Sequence, residues 1–411
     1  MRKIRSLTVM ASTGALAIVL AACGSSTATS TATATVPSDL SISSFDQSFS
    51  YMAKLKPMTT AGSGLVGVIL PDTTSSTRYV NFDKPYLDQA FKAAGYSSSQ
   101  YKIDNAGGDP AQELQLAQAD ITAGAKVLVF DQLNSNVGGQ IQQLAETHNV
   151  KTIAYDRATF TGTKPVYYVS FDNVQVGKLI GDGFLKCVTD WGVTSPKVFE
   201  LDGGQDTDPN AVSFAQGYNN SIWLDKTTPL AAGKTNSQGM TLVAEKIAPA
   251  WDNAAGQTVF AQQFTANPSI NATVEANDGL GNAAITVLKN RGIGPKKVPT
   301  TGQDATEQGI ANVLKGYQCG TVYKAVYLEA QDAVALATVL RAGLTPPAAL
   351  LNGTTSPPTG QAGSQQPASL LVPIWVTSTN VKDTVIKDAF VDKTQLCTDV
   401  TQAVCTAAGI S

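Results

Sequence analysis

The apolar run at residues 150–154 ends in Tyr155, Asp156 and Arg157, a carboxylate and a guanidinium where a turn would be expected. Other apolar runs end the same way. Asp72, Arg78 and Tyr79 follow 65–70, and Asp206, Asp208 and Asn210 follow 197–201. Trp251 follows 241–248, Asn277 and Asp278 follow 272–276, Gln303 and Asp304 follow 298–301, and Lys324 follows 320–323. This set suits a neutral polyol. Carboxylates accept hydroxyl protons, Asn both donates and accepts, and Arg donates several bonds in a fixed plane. An aromatic ring covers an apolar C–H face. The set holds no phosphate-cradling glycine loop and no activated nucleophile. Asp156 and Arg157 read either as a surface ion pair or as polar groups that meet a ligand at the edge of a sheet and hold each other in place.

Taken singly, each residue has a structural explanation. Asp208-Pro209 is a good helix N-cap with proline at the first helical position. The stretch 304–307, DATE, fits a capping box, so Asp304 has a strong competing role. Asn277-Asp278-Gly279 is a turn signal. Arg78, Arg157 and Lys324 read equally as solvated charges, and Trp251 as a hydrophobic staple. Recurrence at strand end after strand end favours a shared ligand.

Such residues need elements to carry them, and the chain alternates from residue 64. A buried strand at 64–70 leads to an amphipathic helix at 81–95. A second strand leads to a helix at 109–124 with Asp109 and Pro110 at its start. Strands at 125–131 and 150–156 flank another helix. This order, with near-continuous apolar strands, predicts a parallel sheet covered on both faces. The pattern restarts at 165 and includes a strand then a helix over 297–316, a polar loop over 351–369 and a last strand over 370–377. The fold class is therefore α/β: two lobes, each a parallel sheet flanked by helices, with a cleft between them. Ligands in such sheets bind beyond the carboxyl ends of the strands.

Composition narrows the functions. Charged residues are 15% of the 411 and the formal net charge is −3, too little basic charge for binding nucleic acid through phosphates. His148 is the single histidine, which argues against histidine triads and multi-histidine metal sites. No cofactor and no metal are expected. Cys187, Cys319, Cys397 and Cys405 show no CxxC spacing. Two disulfides are expected of an exported chain, with three connectivities open. A short local loop favours Cys397–Cys405, which leaves Cys187–Cys319.

Export is read from the first residues. Arg2, Lys3 and Arg5 precede an apolar stretch ending in small residues, the order of a secretory signal. LAAC at 20–23 resembles the bacterial lipobox, with Cys23 as the lipidated residue. Residues 24–38 are rich in Ser, Thr and Ala without periodicity and suit a tether.

A family resemblance runs from about residue 64 to 391. GVILPD with TRY, IAYDR, SFDN, NDG, GQDAT with TVYK twenty residues on, and DTVIKDAF resemble the D-xylose-binding proteins of bacterial ABC importers. These belong to the ribose/galactose-binding group of the type I periplasmic-binding-protein fold. The resemblance implies sugar contacts at Arg78, Asp156, Arg157, Asp208, Asn210, Asn277, Asp304 and Lys324, and stacking aromatics at Tyr79 and Trp251. Tyr79 stands where tryptophan is usual, and the loop 204–210 differs around the shared Asp and Asn; both touch pocket shape.

The signal and the lipobox imply a lipid-anchored, extracytoplasmic protein; the family resemblance implies a binding protein, expected to be a monomer and not an enzyme. It would bind a monosaccharide, D-xylose or a similar aldose, by hinge closure and deliver it to an ABC permease. The expected division is a signal peptide over 1–22, a tether and lead-in over 23–62, a first lobe of 63–167 plus 325–368, a second lobe of 168–324 plus 369–391, and a tail over 392–411. Three crossings near 165–168, 324–326 and 368–371 form the hinge. The rivals are a secreted glycosidase with Asp156 and Asp304 as paired carboxylates, and a receptor for chemosensing. Arg157 and Lys324 beside those carboxylates argue against a general acid.

Overall fold

A computed structural model describes residues 34–160, 166–204, 208–223, 230–358 and 362–410. The signal peptide, Cys23, the first part of the tether and Asp206 lie outside the described residues.

The first part of the chain forms α1 (Lys56–Ala61), β1 (Leu65–Leu70), α2 (Lys84–Ala93), β2 (Tyr101–Asn105), α3 (Pro110–Thr122), β3 (Ala125–Phe130), α4 (Ser135–Thr147), β4 (Lys151–Tyr155) and β5 (Tyr167–Phe171). Next come α5 (Asn173–Asp190), β6 (Lys197–Gly204), α6 (Pro209–Ile222), β7 (Thr241–Pro249), α7 (Asn253–Ala266), β8 (Ala272–Glu275), α8 (Asp278–Asn290), α9 (Glu307–Leu314) and β9 (Thr321–Tyr323). The chain ends with α10 (Val326–Arg341), β10 (Gly353–Thr355), β11 (Gln366–Leu371), β12 (Ile374–Val376), α11 (Lys393–Val400) and α12 (Gln402–Ala407).

The first lobe is a seven-stranded sheet in the order β10-β11-β5-β4-β3-β1-β2, parallel except for the β10–β11 hairpin. Val68 on β1 lies between Ile103 of β2 and Val129 of β3. Val68 and Val129 are buried, and such burial contributes roughly 1.5–3 kcal/mol per side chain. Helices begin where the sequence caps them: Asp109 accepts from Ala111 N at 2.8 Å ahead of Pro110. The second lobe centres on the parallel sheet β7-β6-β8, with a core that includes Phe199, Leu201 and Phe260.

Several expectations change. The predicted strand near 298–301 is not regular. Pro299 has no N–H to pair, though its carbonyl accepts from Thr273 N at 2.9 Å, and at the next step the Thr301 hydroxyl donates to Glu275 O and accepts from Glu275 N where a backbone bond would lie. The last strand is two strands. β11 pairs with β5 in the first sheet, Pro373 interrupts the run, and β12 pairs antiparallel with β9. The boundaries expected at 167/168 and 368/369 therefore fall inside β5 and β11, and the chain leaves the first sheet at Phe171 and Leu371.

The lead-in is not all tether. Leu40, Phe45, Phe49, Met52, Leu55 and Met58 are buried in the core cluster that holds Phe91 and Val334. The segment after β12 does not belong to the second lobe alone. Phe390 stacks on Phe82, which precedes α2, with ring centroids 4.0 Å apart. Leu396, Val400 and Cys405 of the tail are buried. Cys187 is bonded to Cys319, and Cys397 to Cys405. Among the described residues no helix is long and apolar enough to cross a membrane.

Candidate ligand-binding site

Beyond β1 the chain makes one π-helical turn, Tyr79–Asp83, before α2. Such turns often mark functional sites. Here the turn brings Arg78 and Asp83 together. Arg78 Nε donates to Asp83 Oδ2 (2.9 Å), and Nη2 donates to Asp83 Oδ1 (2.7 Å) and to Glu329 Oε2 (2.7 Å). Nη1 donates to Asp156 Oδ1 at 2.9 Å. Tyr79 Oη donates to the other oxygen, Asp156 Oδ2, at 2.8 Å. The partner of Asp156 is thus Arg78, not its neighbour Arg157 as expected. Asp156 has φ 55°, which turns its side chain toward Arg78. Arg157 turns the other way, its Nε 3.7 Å from Asp131 and its Nη1 donating to Gln132 O at 3.2 Å.

Burial pushes the Asp156 carboxyl up, but Arg78, Lys324 and Arg157 outweigh it and hold the group at about 2. Glu329, behind Arg78, is pushed the other way. Burial raises it to about 8 against the pull of Arg78, and Asp156 and Asp83 push in the same direction as burial.

The second lobe supplies the facing wall. Asp208 caps α6, its Oδ1 accepting from Asn210 N (2.9 Å) and Ala211 N (3.3 Å). Its Oδ2 accepts from Trp251 Nε1 at 2.8 Å. Asp208 is therefore both a cap and an anchor for the indole. Trp251 is buried, with φ 60°. Its ring covers Gly203, where a Cβ would lie 1.9 Å from it; only glycine admits the indole there. Asn277 caps α8 by accepting from Leu280 N at 2.9 Å.

Asp304 does not cap α9. That role belongs to Thr306, whose hydroxyl accepts from Gly309 N at 3.0 Å. Asp304 sits at φ 88°, a strained position for a residue with a Cβ. Its Oδ1 is 3.1 Å from Lys324 Nζ, and its Oδ2 accepts from Ser76 Oγ at 3.1 Å.

Arg78, Tyr79, Asp156, Arg157, Asp208, Asn210, Trp251, Asn277, Asp304 and Lys324 all line one cavity. Ser75, Ser76, Phe214 and Gln303 complete it. Two of these had a sequence signal. Gln303 ends a strand run, and Phe214 lies four residues after Asn210 on the same face of α6. Other strand-end residues are structural. Asp72 holds the loop after β1 by accepting from Thr74 N (2.8 Å) and Ser75 N (2.7 Å). Tyr155 donates to Asp83, and Asp278 accepts from Thr306 N and Gln318.

Interlobe bonds close the cleft, among them Ser76 to Asp304, Asn210 Nδ2 to Asp156 O at 2.8 Å and Tyr168 Oη to Asn210 Oδ1 at 3.5 Å. Three cations (Arg78, Arg157, Lys324) and three carboxylates (Asp156, Asp208, Asp304) line the cavity, so its formal charge is balanced. A balanced polar cavity with aromatic walls favours a neutral ligand rich in hydroxyls. Asp156, held at about 2, has no proton to give near neutrality, which removes it as a general acid.

Residues 66–344 match the family described as periplasmic binding protein domain. The chain belongs to this family. Among relatives of this periplasmic binding protein, a multiple sugar-binding periplasmic protein of Azospirillum brasilense is 29% identical over 80% of this chain and 90% of its own. The D-xylose-binding periplasmic protein of Escherichia coli (strain K12) is 30% identical over 72% of this chain and 82% of its own. A carbohydrate transporter solute-binding protein from Chloroflexus aurantiacus, solved with D-glucose, superposes with a TM-score of 0.68 at 23% identity. That match covers 83% of this chain and 99% of the other. The fold is the type I periplasmic-binding-protein fold, two lobes joined by three crossings. The relatives are named as binding proteins, and the periplasmic binding protein described here is a solute-binding protein, not an enzyme.

Proposed function

We propose that this chain is the extracytoplasmic binding component of an ABC sugar importer and takes one monosaccharide, D-xylose or a similar aldose, between its lobes. The observation that carries the reading is the charge-balanced cavity in which both lobes present paired donors and acceptors beside Tyr79, Phe214 and Trp251. Relatives named for D-xylose and for multiple sugars support it. Arg78, Lys324, Asn210 and Asn277 donate to hydroxyl oxygens, Asp304 and Asp156 accept hydroxyl protons, and the indole covers a C–H face. Closure desolvates these bonds and forms the surface that a permease reads. The protein acts as a monomer held to the membrane through a lipidated Cys23.

Thermal-shift measurements with xylose, ribose, arabinose, glucose and galactose test the ligand. A sugar that binds the folded state at 100-fold over its Kd adds about 2.7 kcal/mol. At least one aldose raises the melting temperature; a flat response to all five contradicts the reading. Fractionation without detergent tests the anchor: Cys23→Ala leaves the membrane fraction, and equal retention of variant and parent argues against lipidation.

A further inference from the structure

Asp304 and Ala305 both lie in the left-handed region, at φ 88° and 48°. Residues with a Cβ cost about 1–3 kcal/mol each in such regions and persist there only where the surroundings over-determine them. Asp278 supplies that hold from behind the cavity wall. It is the first residue of α8, next to Asn277 of the cavity, and it is buried. Its N–H donates to Gln303 O at 2.9 Å, just before the strained pair. Its Oδ2 accepts from Thr306 N (2.8 Å) and Thr306 Oγ1 (3.0 Å), just after the pair. One residue thus grips both ends of the turn that presents Asp304. The carboxylate is itself fixed, its Oδ1 accepting from Gln318 Nε2 at 2.8 Å. Two glycines make room for it: a Cβ at Gly302 would lie 2.1 Å from Oδ1, and one at Gly309 2.1 Å from Oδ2. Burial raises the Asp278 carboxyl to about 7, and the charge of Asp304 pushes it the same way.

We infer that Asp278 is a positioning residue for sugar binding: it touches no ligand, and it sets the turn 303–306 so that Asp304 accepts a hydroxyl proton. The inference rests on the sugar-binding reading. Without the carboxylate, Thr306 N, Thr306 Oγ1 and Gln318 Nε2 lose a buried acceptor. The turn then relaxes out of the left-handed region and carries Asp304 away from Lys324 and Ser76. Thr306 Oγ1 still accepts from Gly309 N, so α9 keeps its cap.

The test is a double-mutant cycle, read by calorimetric titration of the full chain with the tightest-binding neutral aldose. Asp278→Ala weakens that sugar at least about fivefold. In the Asp304→Asn background the same change adds no more than about twofold, because a residue that acts through Asp304 has nothing left to position. Asp278→Asn keeps an acceptor for Thr306 and recovers at least about twofold of the Asp278→Ala loss. Where Asp278→Ala does not fold, Gly309→Ala takes its place in the cycle: its Cβ displaces the carboxylate, while Ala suits a helix better than Gly. Losses that multiply, an unchanged Kd in Asp278→Ala, or no recovery with Asn each overturn the positioning role and leave the sugar-binding reading standing. Failure of the parent to bind any neutral aldose overturns that reading, and the inference with it.

Discussion

Ser76 Oγ donates to Asp304 Oδ2 at 3.1 Å, across the cleft and between residues 228 positions apart in the chain. Ser76 rides on the loop after β1 and Asp304 on the segment before α9, so the bond joins one lobe to the other. Asp304 also faces Lys324, which stands at the second crossing of the hinge. One carboxylate thus reports on the ligand cavity, the closure contact and the hinge.

Trp251 is tied to Asp208 and lies over Gly203, so truncating it to Ala would lower stability as well as affinity. Trp251→Phe separates the two. The smaller ring keeps the floor over Gly203 but cannot donate to Asp208. Losing a hydrogen bond to a charged group costs about 1.5–3 kcal/mol. Part of that falls on binding, so the Kd for the bound sugar rises about five- to tenfold. Titration calorimetry beside a ligand-free melt reads both effects. A lower melting temperature with an unchanged Kd would make Trp251 a packing residue alone.

Stability without ligand depends on pH through the network behind Arg78. Glu329 is raised by burial from 4.5 to about 8, so the folded state keeps a proton that the unfolded chain releases. Its contribution is full below 4.5 and is lost as pH rises through about 8. Asp156 has the opposite sign. Held at about 2 against an ordinary 3.8, it contributes fully above 3.8, and that is lost as pH falls through about 2. The melting temperature therefore drops between pH 5 and 8.5 by at least ~3 °C, the size of about one kcal/mol in lobes of this length. Glu275 and Asp332, also raised by burial to about 8, act in the same direction, so Glu329→Gln makes that slope shallower without removing it, because Gln mimics the neutral acid. An unaltered slope in the variant would place the titration elsewhere.

The two disulfides constrain very different loops. Cys187–Cys319 spans 132 residues and Cys397–Cys405 spans 8. Loop-closure entropy assigns about 5 kcal/mol to the long loop and about 2.5 kcal/mol to the short one. Replacing Cys187 and Cys319 by Ala is expected to destabilise the protein about twice as much as replacing Cys397 and Cys405. Denaturant unfolding of the paired variants checks the ratio, and equal losses would show that loop length does not set it.

The alternation of strands and helices was legible because strands buried on both faces are continuously apolar and each helix carries its own cap, as Asp109-Pro110 does. The site was legible for a related reason: strand ends open on the cleft, and their polar residues have no core to join. What the sequence hid depends on contacts far apart in the chain. Arg157 is adjacent to Asp156, yet Arg78 makes the ion pair, because Asp156 adopts φ 55°. Asp304 looked like a cap until Thr306 took that place. Pro373 lies within an apolar run that reads as one strand, and its splitting between two sheets appears only when β11 finds β5 and β12 finds β9. Ser75 and Ser76 gave no signal beyond a polar loop.

The most direct measurement is calorimetric titration of the tightest-binding neutral aldose into the parent and Asp304→Asn, each with a ligand-free melt. Asn accepts the left-handed backbone at this position, and α9 keeps its Thr306 cap, so the apo melting temperature holds. Asn offers one acceptor where the carboxylate offers two, and the lost charged hydrogen bond costs about 1.5–3 kcal/mol. The predicted result is a Kd at least about tenfold weaker with an unchanged melt. An unchanged Kd would show that Asp304 does not touch the sugar, and would contradict the placement of the ligand in this cleft.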